Sequence, residues 1–416
     1  MRLPRRVGPL HEREFRLLYA GQAVSLLGDA LVPVALAFAV IDLTGSAADL
    51  GYVFTAQILP LVAFLLAGGV WADRLPRQLV MLGSDVVRGL AQATVAFLLL
   101  SDRAQLWELI ALAAVYGTAE AFFRPAATGL IPLTVSPARL QHANALLAMT
   151  MNGLNVLGPL LAGALVAVAN PGVALAFDAG TFFVSAAFLL QLRPAAVERT
   201  EGRQSFVHEL AAGWGEFRSR TWLWAIVLAA SILLFGAIAP FQVLGPVISK
   251  AHYDGATSWA LILAGFALGQ VAGGGIALRW RPSRPLLVCA CSNIVLALPL
   301  TLLALTAPDA AVAFGALVAG VAVGIFMTIW ETTMQTQIPP DRLSRVSSYD
   351  WMGSVAFLPA GFALVGPVSE AIGTSTTLWC SVGIVVLTTA IMLAPRDVRE
   401  LRARPYGAAA EEALAA

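Results

Sequence analysis

Apolar runs of about twenty residues recur along the whole chain, parted by short segments that carry the charge. A helix needs about 20 apolar residues to cross ~30 Å of hydrocarbon, and stretches such as 48–70, 79–100 and 376–394 reach that length. Composition agrees: 58% of residues are hydrophobic and 12% charged, against about 25% charged in soluble domains. Two or three soluble domains, which length alone would allow, are excluded. The expected class is an all-α polytopic membrane protein seated in a lipid bilayer.

Breaks at Gly, Pro and charge clusters divide the chain into twelve spans, six before residue 193 and six after 220. The basic residues test that count. Of 26 Lys and Arg, 22 fall in segments that lie on one side if both termini are cytoplasmic, as the positive-inside rule requires. Arg103 and Lys250 fall in outer loops, and Arg88 and Arg124 within spans. Omitting one span would invert every later loop and destroy the asymmetry. The basic N-terminus leads into a long span without a small-residue cleavage site, and reads as a retained tail.

The longest polar connection separates two bundles. The expected organisation is a six-helix bundle over 1–193, a linker over 194–220, a second bundle over 221–395 and a tail over 396–416. In the linker, Phe206, Leu210, Trp214 and Phe217 recur at helical spacing after Ser205, a possible N-cap. That pattern suits an interfacial helix; docking on a partner is the alternative. The halves echo each other: Arg139-Leu140 recurs as Arg342-Leu343, Gly158 as Gly361 and Gly163 as Gly366, all 203 residues apart. Paired six-helix repeats place a substrate between them, reached by rocking one half against the other.

The loop after the second span reads Gly69-Val-Trp-Ala-Asp73-Arg74-Leu-Pro76-Arg77-Gln78. It resembles the signature G-x-x-x-D-R-x-G-R-[KR] of the major facilitator superfamily, with Pro76 and Gln78 departing from it. The resemblance implies a twelve-helix fold in which Asp73 faces the start of the eleventh span, an acid against a helix N-terminus. Gly69, Arg74 and Arg77 would share that conformational gate. Asp85 and Arg88, one turn apart near the start of the third span, would join it. Phe123-Arg124-Pro125, Ile131-Pro132, Arg139-Leu140, Asn144 and the run from Phe177 through Asp178 to Phe182 resemble the enterobactin exporter and macrolide efflux branch. Gly158-Pro159 with Gly163 is similar to the antiporter signature, with Ala162 replacing one glycine.

Ionisable groups inside spans are costly and need a reason. Asp29 sits near the middle of the first span, with Gln22 and Ser25 on the same helical face. A carboxyl there can load and release protons; a structural acid paired with an arginine or a helix end is the alternative. Glu120 and Arg124, four residues apart on the fourth span, should pair. Glu331 lies at comparable depth in the other half, and either reaches Arg124 across the halves or stays local. These three acids are the proton-coupling candidates. Arg124 belongs with the gate. Asp178 begins the sixth span near the outer surface and reads as structural. Gln22, Ser25, Asn152, Asn155, Gln242 and Trp330 are cavity candidates, with bonding between neighbouring helices as the other reading of the amides.

No P-loop or metal-ligand spacing is present in the sequence, so no cofactor or metal is expected and the chain does not read as an enzyme. A net charge of +1 gives nucleic acid no support. Cys289, Cys291 and Cys380 lie in apolar runs and read as small buried hydrophobes. The expected activity is secondary export of a drug, siderophore or other amphiphilic metabolite. It would be driven by protons and performed by a monomer in the bacterial plasma membrane. A lysolipid flippase of the same fold and a non-transporting scaffold or sensor are the rivals.

Overall fold

The computed structural model describes residues 8–194 and 214–403, apart from the side chains at 66, 67, 69, 70, 72, 73, 340, 341 and 344. Ser205, Phe206 and Leu210 of the linker lie outside the described residues, as do the surroundings of Gly69 and the side chain of Asp73. Every element among the described residues is helical, and twelve segments are long and apolar enough to cross a membrane. They are α1 (Arg13–Thr44), α2 (Ala47–Arg74), α3 (Arg77–Leu100), α4 (Leu106–Leu130), α5 (Leu140–Val168) and α6 (Pro171–Leu190). The second six are α7 (Thr221–His252), α8 (Ala256–Arg279), α9 (Pro285–Ala304), α10 (Asp309–Gln337), α11 (the helices Pro340–Val355 and Leu358–Ile372) and α12 (Thr374–Leu393).

Local chemistry sets the ends of these helices. Ser46 caps α2 by accepting from the Asp49 N–H, and Asn170 caps α6 by accepting from Val173. Gln105 and Glu108 form a reciprocal capping box at the start of α4. Gly45 ends α1 at φ 69°, a left-handed conformation that favours glycine.

The first span departs from the single helix expected of it. It consists of Arg13–Asp29 and Val32–Thr44. Pro33 has no N–H to offer the Asp29 carbonyl four residues back, so the hydrogen-bond ladder fails there. Asp29 therefore ends a half-helix inside the span. α7, the first span of the second half, also leaves α geometry, at a π turn over Leu234–Ile238.

Two compact units result. One holds the described residues up to 194 together with 254–264; the other holds 214–253 and 265–403. In the first, α3 lies between α4 and α6, α1 rests on α6 and α5, and α2 packs along α4. In the second, α9 lies between α10 and α12, and α7 rests on α12 and α11. The same helix neighbours thus recur in both units. Glycine allows the closest pairs: a Cβ at Gly117 of α4 would collide with the Gln57 carbonyl of α2. One at Gly324 of α10 would collide with the Gln270 carbonyl of α8. Such small-residue contacts let membrane helices approach to backbone distance.

Residues 214–219 form a helical turn packed on the second unit. Trp214 stacks on Phe217 at 5.7 Å, and both meet Tyr349 of α11, at 5.5 and 5.8 Å. Of the three thiols, Cys289 is buried, whereas Cys291 and Cys380 are exposed. The expectation of burial fails for these two because they face outward from apolar helices, where a membrane rather than protein would cover them.

Candidate functional site

Five side chains from four helices of the first unit meet around one guanidinium. Arg88 on α3 is 2% exposed. Its Nη2 donates to Asp85 Oδ1 at 2.6 Å, and its Nη1 stands 3.8 Å from Asp29 Oδ2. The Tyr116 hydroxyl of α4 donates to Asp29 Oδ1 at 2.6 Å. Aromatic faces close the remaining sides: the guanidinium carbon lies 4.2 Å from the ring centre of Phe123 and 4.3 Å from that of Phe182. Rings of this kind attract a desolvated cation.

A second polar node lies one helical turn further along α3. Gln92 Nε2 donates to Asp178 Oδ2 of α6 at 2.8 Å. Asp178 is fully buried, and its Oδ1 has no hydrogen-bond partner. The expectation that Asp178 sits near the outer surface is corrected here. α6 begins at Pro171, which carries Asp178 two turns in, to the level of Gln92. Asp85 and Arg88, candidates for the gate, meet Asp29. Residue 85 lies eight positions after the start of α3, about 12 Å along a helix rising 1.5 Å per residue. That depth brings the pair to Asp29.

The three acids are not equivalent. Asp85 and Asp178 are fully buried, while the Asp29 side chain is 29% exposed. One guanidinium serves two carboxylates: it grips Asp85 closely and Asp29 loosely. A buried charge pair survives only with good geometry and added hydrogen bonds, which Tyr116 supplies for Asp29. The arrangement can change the charge on Asp29 while Arg88 stays matched by Asp85.

Apart from Ser25 and Gln22, the other described sequence candidates have partners of their own or are exposed. Ser25 is buried with an unpartnered hydroxyl, and Gln22 is half-buried on the same helix. Arg124 and Glu120 bond one another at 2.5 Å. Arg77 Nη1 donates to the Gly129 carbonyl at the end of α4, at 2.6 Å. Gln78 Nε2 donates to Leu189 and Leu192 carbonyls at the end of α6. The last two residues of the signature loop thus cap two helix C-termini, where orphan carbonyls need donors. Asn152, Asn155 and Gln242 are exposed. In the second unit, Trp330 is buried and donates to Asp350 Oδ2 at 3.2 Å, and Glu331 is exposed. The second unit's node between α9 and α12 is uncharged: Asn293 donates to Thr388 and Thr389.

Sequence reasoning missed Tyr116, Gln92 and Asp350. Tyr116 lies four residues before Glu120, and Gln92 extends the Asp85–Arg88 face by one turn, so both had a periodic signal. Asp350 stands in a polar run, Ser347-Ser348-Tyr349-Asp350, where an acid does not stand out.

Residues 18–354 match the family model described as Major Facilitator Superfamily. The chain belongs to that superfamily. Within it, the chain is similar to macrolide efflux protein A of Streptococcus pyogenes, at 24% identity covering 93% of this chain and 97% of the relative. It is also similar to the enterobactin exporter EntS of Salmonella typhimurium, at 27% identity covering 94% of each. Among solved structures, the nucleoside transporter NupG shares the fold. Its TM-score is 0.70 at 14% identity, with 92% of this chain and 98% of that one covered. This major facilitator protein is a multi-pass membrane transporter, not an enzyme.

Proposed function

We propose that the transporter is a secondary active exporter that moves an amphiphilic drug, siderophore or related metabolite out of a bacterial cytoplasm in exchange for protons. It works as a monomer in the plasma membrane, with both termini inside. The basic-residue asymmetry supports the orientation, and the efflux relatives support the direction of transport. Gln22, Ser25, Asn152, Asn155, Gln242 and Trp330 are the candidate cargo-binding side chains. Gly69, Asp73, Arg74, Arg77, Asp85, Arg88 and Arg124 gate the inner side, with Glu120 and Glu331 further acids for coupling.

One observation carries the proton reading. Asp29 is the partly exposed carboxylate of the cluster, at 29% against full burial of Asp85. Of the two carboxylates that Arg88 faces, it is the one that can take a proton without unpairing the guanidinium from Asp85. Loading Asp29 leaves Arg88 and Asp85 matched one to one; releasing the proton restores a second claim on the guanidinium. A ligand shifts a conformational equilibrium only through differential affinity for the two states, and here the proton changes which partners Arg88 holds. The test uses proteoliposomes with a radiolabelled macrolide as probe. An imposed proton gradient should drive its accumulation, and a protonophore should abolish it. Accumulation that persists with the gradient collapsed would overturn the coupling.

A further inference from the structure

The two units carry the same ion pair at the same point of their repeat. In the first, Glu12 stands immediately before α1, and Arg139 is the N-cap residue of α5. Glu12 Oε1 accepts from Arg139 Nη1 at 2.9 Å and from the Ser136 hydroxyl at 2.7 Å. Its Oε2 accepts from the Ser136 N–H at 2.8 Å. In the second, Glu216 stands just ahead of α7, and Arg342 lies in the first turn of α11. Glu216 Oε2 accepts from Arg342 Nη1 at 2.6 Å. Its Oε1 accepts from Arg220 Nε at 2.9 Å and Nη2 at 2.7 Å. The glutamates are 204 residues apart and the arginines 203, which is the repeat offset of the whole chain.

The supporting donors differ between the copies: Ser136 in one, Arg220 in the other. What recurs is an acid ahead of the first span gripping a base at the foot of the fifth. Arg220 also donates to the Gln337 carbonyl at the end of α10, at 2.9 Å, so the second copy reaches three spans. Exposed ion pairs contribute little to stability, typically ~0–1 kcal/mol, and each bundle already has extensive helix packing. Recurrence of a weak contact in both halves therefore calls for a role beyond holding the fold.

We infer that Glu12–Arg139 and Glu216–Arg342 are twin positioning braces that make the first and fifth spans of each bundle move as one body during transport. The inference rests on the alternating-access part of the proposed function and not on the identity of cargo or coupling ion. Because each brace joins helices of one unit, it stays closed while the units move past each other.

Pulsed electron paramagnetic resonance tests this without cargo. The full chain, with its three cysteines replaced by serine, carries spin labels at Arg16 of α1 and His142 of α5, both exposed. A second labelled chain carries a pair on Arg16 and Arg279, which reports movement between the bundles. The expected result is one narrow Arg16–His142 distance at neutral and acid pH, above the range in which the glutamate protonates, while the inter-bundle distances shift. Glu12→Gln should lose that narrow distance. The exchanged pair Glu12→Arg with Arg139→Glu should recover it, whereas Glu12→Arg with Arg342→Glu should not. A narrow distance in Glu12→Gln, or equal recovery by both exchanges, would overturn the brace. Inter-bundle distances that never shift would count against alternating access and leave the brace to be judged by the Glu12 variants.

Discussion

Tyr116 and Asp29, 87 residues apart in the chain, share a hydrogen bond of 2.6 Å in the interior of the first unit. The bond fixes one carboxylate oxygen of Asp29, and Arg88 stands by the other at 3.8 Å. The cluster therefore holds Asp29 by two contacts of unequal strength. The weaker of them is the one to the charge that Asp85 already holds.

Removing the stronger contact should expose its worth. Tyr116→Phe keeps the ring against Phe182 but deletes a donor to an ionisable acid, a bond worth about 1.5–3 kcal/mol. Gradient-driven export should fall about tenfold or more, while the amount of folded protein in the membrane stays near that of the parent. Parent-like export rates measured in vesicles would show that Tyr116 does not support Asp29.

Close helix approach makes a second prediction. Gly117→Leu and Gly324→Leu force side chains into backbone carbonyls of a neighbouring helix, and overpacking of this kind costs about 1–3 kcal/mol. Both should lower the melting temperature in detergent. Gly83→Leu and Gly275→Leu, where a Cβ meets nothing within 4 Å, should not. Equal melting of all four would mean that the α2–α4 and α8–α10 contacts do not exist as described.

Two carboxyls outside the spans link stability to pH. Burial pushes Glu12 up, but hydrogen bonds from Ser136 and Arg139 outweigh it and hold the group below its ordinary 4.5. Glu216 follows the same pattern: burial raises it, and Arg220 and Arg342 together bring it below 4.5. A depressed carboxyl stabilises the fold fully above the unfolded value and loses that contribution as pH falls through the folded one. The Glu12→Gln, Glu216→Gln double variant should therefore melt below the parent at neutral pH and converge with it in acid. A gap that persists or widens in acid would assign the loss to something other than these ion pairs.

Much of this architecture is legible in the sequence. Run length and the basic-residue asymmetry led to twelve spans, because the bilayer imposes both. Asp29 stood out because a charge in an apolar run is costly. Its surroundings were less visible. The contact of Arg88 with Asp29 is not visible in the sequence, which shows spacing along α3 but not how deep the span starts. The depth of Asp178 beside Gln92 is hidden for the same reason. The break after Asp29 had a local signal in Pro33 that a hydropathy count passes over. The braces were half visible: the Arg139–Arg342 repeat was read from the chain, but their glutamates sit in polar flanks where acids are ordinary.

The proposed orientation has its own direct check. Single cysteines at Arg103 and Lys250 should react with an impermeant thiol reagent added outside intact cells, and those at Arg284 and Arg342 should not. Reaction at Arg284 from outside would contradict the placement of both termini in the cytoplasm.

The central claim is that Asp29 carries the coupled proton, and Asp29→Asn tests it most directly. The amide keeps the size of the side chain and can still accept from Tyr116, but it cannot titrate. In inverted vesicles with an imposed pH gradient and a radiolabelled macrolide as probe, the variant should still bind and exchange the probe. It should fail to accumulate it against a gradient. Accumulation by Asp29→Asn equal to that of the parent would contradict the account and pass the coupling role to Glu120 or Glu331.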